Sequence, residues 1–127
     1  MSMKILITGA FGNLGFVCMD RALALGYEVR CFDVYTKRNQ KLARQYANRI
    51  ETFFGDIRDS HRLKTVVRGV DGIIHNASVL PPMSELDSTF AKDVNVEGTR
   101  SLVACAAVEN PSMRFVFPSS VTVFGLP

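Results

Sequence analysis

Pairable cysteines, grouped metal ligands, long apolar runs and an excess of one charge are all missing from this 127-residue sequence. Cys18, Cys31 and Cys105 are odd in number, far apart and set among apolar neighbours, which excludes a disulfide framework and fits reduced packing thiols. His61 and His75 stand alone and no pair of cysteines has ligand spacing, so no metal site is expected. No apolar stretch approaches the ~20 residues of a spanning helix, and Ile5-Leu6-Ile7 is far shorter than a signal-peptide core. The expectation is a cytoplasmic protein without a membrane partner. With 15 basic and 12 acidic residues spread along the chain, the net charge of +3 is too weak and too mixed for a nucleic-acid surface.

What remains is an ordinary globular composition, 47% apolar and 21% charged, at a length that suits one domain over residues 1–127. Short β-rich runs alternate with segments of helical period, the pattern of stacked βαβ units. Strands are predicted at Lys4–Thr8, Glu28–Phe32, Glu51–Phe54, Gly72–His75 and Arg114–Pro118. Helices are predicted from Leu14 to Leu25, through Leu63, Val66 and Val67, and from Asp87 to Val108, where Asn110-Pro111 closes the run. Gly26 suits the left-handed position after the first helix, and Pro81-Pro82 reads as a loop. Right-handed crossovers give an α/β, Rossmann-like, doubly wound parallel sheet of five strands in the order 3-2-1-4-5, with helices on both faces. In such sheets ligands bind outside the carboxyl ends of the strands.

The first strand leads into Gly9-Ala10-Phe11-Gly12-Asn13-Leu14-Gly15. A pyrophosphate needs backbone N–H donors at close range, and a glycine turn opening a helix supplies them together with the helix dipole. Gly9 permits the turn, Gly12 clears space for the phosphates and Gly15 lets the helix approach the sheet. Asp33, after the second strand, lies near the ~20-residue spacing of an acid that accepts from a ribose 2′-hydroxyl. The bland alternative is an ordinary turn and a surface aspartate. A carboxylate there repels a 2′-phosphate, so the expected cofactor is NAD in preference to NADP. Lys37 and Arg38 are the residues that would meet a 2′-phosphate, although such a charge run also suits a solvated helix face.

With these motifs in place, the whole chain resembles the extended short-chain dehydrogenase/reductases, the NAD-dependent epimerases and dehydratases among them. Thr8-Gly9-x-x-Gly12-x-x-Gly15 is similar to that family's glycine motif. The resemblance implies that Asp56 and Ile57 flank the adenine, with the Asp56 carboxylate accepting from its amino group; Asp56 suits a helix N-cap equally well. It implies that Asn76, Ala77 and Ser78 border the nicotinamide-side ribose and phosphates, positions that plain turn residues also fill. Asn95-Val96-Glu97-Gly98-Thr99 is similar to the family's Asn-Val-x-Gly-Thr, in which the asparagine holds the structure around the active site. Pro118-Ser119-Ser120-Val121-Thr122-Val123-Phe124-Gly125 resembles Ser-Ser-Ser-Ala-Thr-Val-Tyr-Gly, which places Ser119 beside the cofactor and Ser120 on the catalytic serine. Pro118 and Phe124 depart from the family's serine and tyrosine, and Thr122 is expected to face substrate.

The family's Tyr-x-x-x-Lys is not among these residues: Tyr27, Tyr35 and Tyr46 have no lysine four positions on. The chain is therefore expected to be the N-terminal, NAD-binding part of a longer fold, able to bind but not to turn over by itself. The implied reaction is hydride transfer with a small hydroxylated substrate, a sugar nucleotide first, and pairing of two copies through helices around Asn95. Two alternatives stay open, a non-catalytic dinucleotide-binding or redox-sensing module and a steroid- or flavonoid-type hydroxyl dehydrogenase of the same family.

Overall fold

Each strand forms where β-branched, aromatic or other apolar residues run for a few positions, and stops near glycine, aspartate, asparagine or proline. The computed structural model describes residues 2–125. In it the runs are β1 (Lys4–Thr8), β2 (Glu28–Asp33), β3 (Glu51–Phe54), β4 (Gly72–His75) and β5 (Arg114–Val116). Among the described residues they form one parallel sheet in the order β3-β2-β1-β4-β5, the expected doubly wound order. The order reverses around β1, which pairs with β2 on one side and β4 on the other, and this opens a crevice at their carboxyl ends. β5 is shorter than expected. Its last partner is Ile74 opposite Val116, and Pro118 has no N–H to extend a ladder.

The helices are α1 (Asn13–Ala24), α2 (Lys37–Tyr46), α3 (Ser60–Val66), α4 (Met83–Leu86), α5 (Ser88–Lys92) and α6 (Gly98–Glu109). Because β residues alternate faces, β1 and β2 feed two cores. Leu6 and Phe32 pack with Leu63, Val66 and Leu102 of α3 and α6, while Ile7 and Cys31 pack with Met19 and Ala22 of α1. Helices therefore cover both faces, and each large buried side chain contributes about 1.5–3 kcal/mol. Burial pushes the Cys31 thiol up to about 12, so it packs as a neutral group against Met19.

One charge is buried in this framework. Arg30 of β2 donates to Glu51 Oε1 at 2.6 Å and to the Val66 and Arg68 carbonyls at 2.6 and 2.7 Å. It thereby satisfies carbonyls at the end of α3, where a cation is favoured. The hydrogen bond from Arg30 holds the Glu51 carboxyl below the usual range.

Two further local expectations change. The long helix expected from Asp87 is interrupted by a π-helical segment, Asp93–Glu97, in which Gly98 N–H bonds back to Asp93. Helical period alone does not separate a π turn from an α turn, and such bulges need tertiary support. Asp59, not Asp56, caps α3, its side chain accepting from Arg62 N–H. Pro81-Pro82 lies in the loop before α4, as expected. No helix among the described residues is long and apolar enough to cross a membrane.

Candidate functional site

A cavity of about 600 Å³ lies at the carboxyl ends of the strands. Gly9, Gly12, Asn13, Leu14 and Gly15 line it from the turn after β1, and Asp33 from the end of β2. Asp56 and Ile57 reach it after β3, Asn76, Ala77 and Ser78 after β4, and Ser119 and Ser120 after β5. Thus the structure brings together thirteen of the fifteen residues that the sequence assigned to the cofactor or to catalysis. Phe11 and Asn95 do not line the cavity. The Phe11 ring is fully buried against Phe16 and Phe54, and Asn95 stands behind the wall. The side chain of Thr122 lies outside the described residues.

The turn is tight because two positions leave no room for a side chain. A Cβ on Gly15 would sit 2.1 Å from the Gly9 carbonyl oxygen and 2.6 Å from the Ala10 carbonyl carbon. Gly9, at φ +61, would bring a Cβ within 2.9 Å of the Ala77 nitrogen. Close approach thus seats the start of α1 on the turn after β1, and that turn against the loop after β4. Gly12 is the N-cap of α1 and provides no capping side chain, so the first N–H groups of the helix face the cavity without a side-chain acceptor. That is the arrangement in which an anion binds.

Asp33 holds the other side of the turn. Its carboxylate accepts from Phe11 N–H at 3.0 Å and from Val34 N–H at 2.8 Å. Phe11 therefore contributes through its backbone, while its side chain belongs to the core. Arg38, read as a solvated residue or a phosphate partner, instead donates to the Phe11 carbonyl at 2.9 Å and to Asn39 Oδ1 at 3.3 Å. This role was not legible, since the reach of a long side chain is set by tertiary placement.

At the β3 end, Arg58 grips the Asp56 carboxylate with Nε at 3.0 and 3.1 Å and Nη2 at 2.6 Å, and its guanidinium lies over the Phe90 ring. The hydrogen bonds from Arg58 hold the Asp56 carboxyl below its ordinary value. At the β4 end, the Thr8 hydroxyl meets His75 Nδ1 at 2.6 Å, and His75 Nε2 meets the Thr99 hydroxyl at 2.9 Å. The Asn76 and Ala77 N–H groups both donate to Thr8 Oγ1, at 3.0 and 3.1 Å. Behind the wall, Asn95 accepts from Val79 N–H at 2.7 Å and donates to its carbonyl at 3.0 Å. Asn76 Oδ1 is buried without a hydrogen-bond partner among the described residues. Val79, Leu80, Phe90 and Phe117 add an apolar lining that no motif announced. No three carboxylate, cysteine or histidine side chains among the described residues group as metal ligands.

A glycine turn at an uncapped helix start, an acid closing β2 and a paired serine beyond β5 on this sheet define the extended short-chain dehydrogenase/reductases. The model of the 3-beta hydroxysteroid dehydrogenase/isomerase family matches residues 6–126, and the chain belongs to that family. It is 32% identical over 128 residues to the 3-beta-hydroxysteroid dehydrogenase of Mycolicibacterium neoaurum, covering 94% of this chain and 32% of the relative. A UDP-glucose 4-epimerase of Klebsiella pneumoniae is 30% identical over 139 residues, covering 97% of this chain and 93% of that relative. Among solved structures, a short-chain dehydrogenase/reductase superfamily protein from Agrobacterium tumefaciens with bound NAD is 28% identical at a TM-score of 0.75, over 96% of this chain and 34% of that one. The chain spans about a third of the length of the first curated relatives it matches.

Proposed function

We propose that these residues form the NAD-binding part of an oxidoreductase that transfers hydride between a carbinol carbon of a hydroxylated substrate and the cofactor. The observation that carries the reading is the uncapped start of α1 facing the cavity, with Gly15 too close to the carbonyls of Gly9 and Ala10 in the turn to bear a side chain. A pyrophosphate fits that cradle, and the orphan Asn76 acceptor in the same wall supplies a further polar group for a ribose. Gly12, Asn13, Leu14 and Gly15 would hold the phosphates. Asp33 would accept from the adenosine 2′-hydroxyl, which favours NAD over NADP, because Arg38 is already engaged by the turn. Asp56 and Ile57 would border the adenine, and Asn76, Ala77, Ser78 and Ser119 the nicotinamide side.

NAD would supply the hydride acceptor. Ser120 would orient the reacting oxygen by hydrogen bonding, and the proton would pass to a base outside these residues, since they hold no Tyr-x-x-x-Lys. The apolar wall of Val79, Leu80 and Phe117, with Pro118 and Phe124 where the sugar-nucleotide motif carries hydroxyls, favours a hydroxyl borne on an apolar ring, as in a steroid. This reading places the steroid-type alternative above the sugar nucleotide first expected. Val96 and Val103 are exposed near Asn95, which supports pairing of two copies there.

The test is calorimetric titration of the chain with NAD and NADP, followed by assay of the full-length gene product with NAD and either a 3β-hydroxysteroid or a UDP-sugar. Preferential NAD binding with steroid-dependent formation of reduced cofactor is expected. UDP-sugar turnover alone would overturn the substrate class, and a folded chain that binds neither dinucleotide would overturn the function.

A further inference from the structure

His75 is a fully buried imidazole that the proposed chemistry leaves unused, yet every hydrogen around it has a determined direction. The Thr99 hydroxyl donates to the Asn95 carbonyl at 2.6 Å, so toward His75 it can only accept. Nε2 must therefore carry the proton. A neutral ring then offers Nδ1 as an acceptor, and the Thr8 hydroxyl donates to it, leaving the Thr8 lone pairs for the Asn76 and Ala77 N–H groups. The chain of bonds runs from the loop after β4, through Thr8 of β1 and His75, to the π-helical segment. There Asn95 grips the same loop a second time at Val79.

We propose that His75 is a positioning residue that sets the cavity wall from Asn76 to Val79, and so governs how tightly the nicotinamide side of a dinucleotide is held. The wall lies between the glycine turn, which it touches at Gly9, and the β5 end, where Phe117 stacks on the His75 ring at 5.8 Å. Asp33 at the end of β2 and Asp56 after β3 lie on the other side of β1 in the sheet, and among the described residues neither bonds to this relay. Loss of the relay thus weakens one half of the site and spares the other. The proposal rests on the dinucleotide reading above.

Binding of NAD and of AMP is measured by calorimetry for the unsubstituted chain and for His75→Leu, Thr99→Val and His75→Gln, with folding checked by circular dichroism. His75→Leu and Thr99→Val are expected to weaken NAD about tenfold and to leave AMP within about twofold, the size of one lost buried hydrogen bond. His75→Gln, whose amide offers both a donor and an acceptor, is expected to recover most of the NAD affinity. Equal losses for NAD and AMP, or no loss for NAD, would overturn the proposal. If His75→Leu does not fold, Thr99→Val and His75→Gln decide by the same criterion. Failure of the unsubstituted chain to bind NAD would remove the cofactor reading itself and this proposal with it.

Discussion

The two ends of the cavity are built differently. The glycine turn is tied from several sides: Gly9 N–H bonds to the Phe32 carbonyl, Asp33 takes Phe11 N–H, and Arg38 takes the Phe11 carbonyl. The serine end follows a three-residue edge strand, and Val116, Phe117, Val121 and Phe124 around it are exposed. The first end is held by bonds within a short span of sheet, whereas the second has little packing of its own among the described residues. In the function proposed above, cofactor recognition and substrate reaction are assigned to these separate pieces of structure, and substitutions should separate them.

The strongest way to break the first end is Gly15→Ala. The added methyl meets carbonyl atoms that cannot move without unseating α1, so a stability loss on the order of 3 kcal/mol is expected, with loss of dinucleotide binding. Urea melts and NAD titration measure both. A similar magnitude is expected from acid acting on the junction between the two ends. Burial lowers the His75 pKa from 6.5 to about 4. Between those values the unfolded chain binds a proton that the folded chain refuses, so stability is full above about 6.5, falls as pH drops toward about 4, and is then level. The loss is about 3 kcal/mol. Urea melts between these limits should show that slope, and His75→Gln should flatten it; an unchanged slope would contradict the buried neutral imidazole.

At the second end, Ser120→Ala in the full-length gene product should lower kcat about 100-fold with NAD affinity unchanged. A fall in affinity instead would make Ser120 part of the cofactor cradle. The smallest effect sharpens the nucleotide preference. Asp33→Asn leaves one side-chain oxygen where two accept from Phe11 and Val34 N–H and removes the charge, so NAD should weaken about tenfold while its lead over NADP narrows. Paired titrations with the two dinucleotides give that ratio directly.

Much of the sheet and the near wall of the site was legible because the signals are local. Strand runs bounded by turn residues, a glycine triad between strand and helix, and an aspartate at the end of the next strand each fit within a short window. The misplacements have physical causes. Asp56 and Asp59 both suit a cap, and only the position of α3 decides between them. The π-helical segment repeats the apolar face of an α-helix closely enough to hide in it. The His75 relay joins residues from β1, β4 and the start of α6, a coincidence of three elements that no spacing in the sequence records. Phe11 looked like part of a binding turn because its backbone is, while its ring answers to the core.

The sheet has two outer strands, and they are not equally protected against sticking to other molecules. At β3, Arg62 takes the Phe54 carbonyl at 3.1 Å and stacks its charge over Phe53, while Glu51 and Arg30 add a paired charge. Such an edge resists addition of a foreign strand. β5 carries Arg114 at its start but ends in exposed Val116, with exposed Phe117 just after it. Self-association of this polypeptide in concentrated solution should therefore grow from one side of the sheet, and a lysine at Val116 is where a more soluble version would begin.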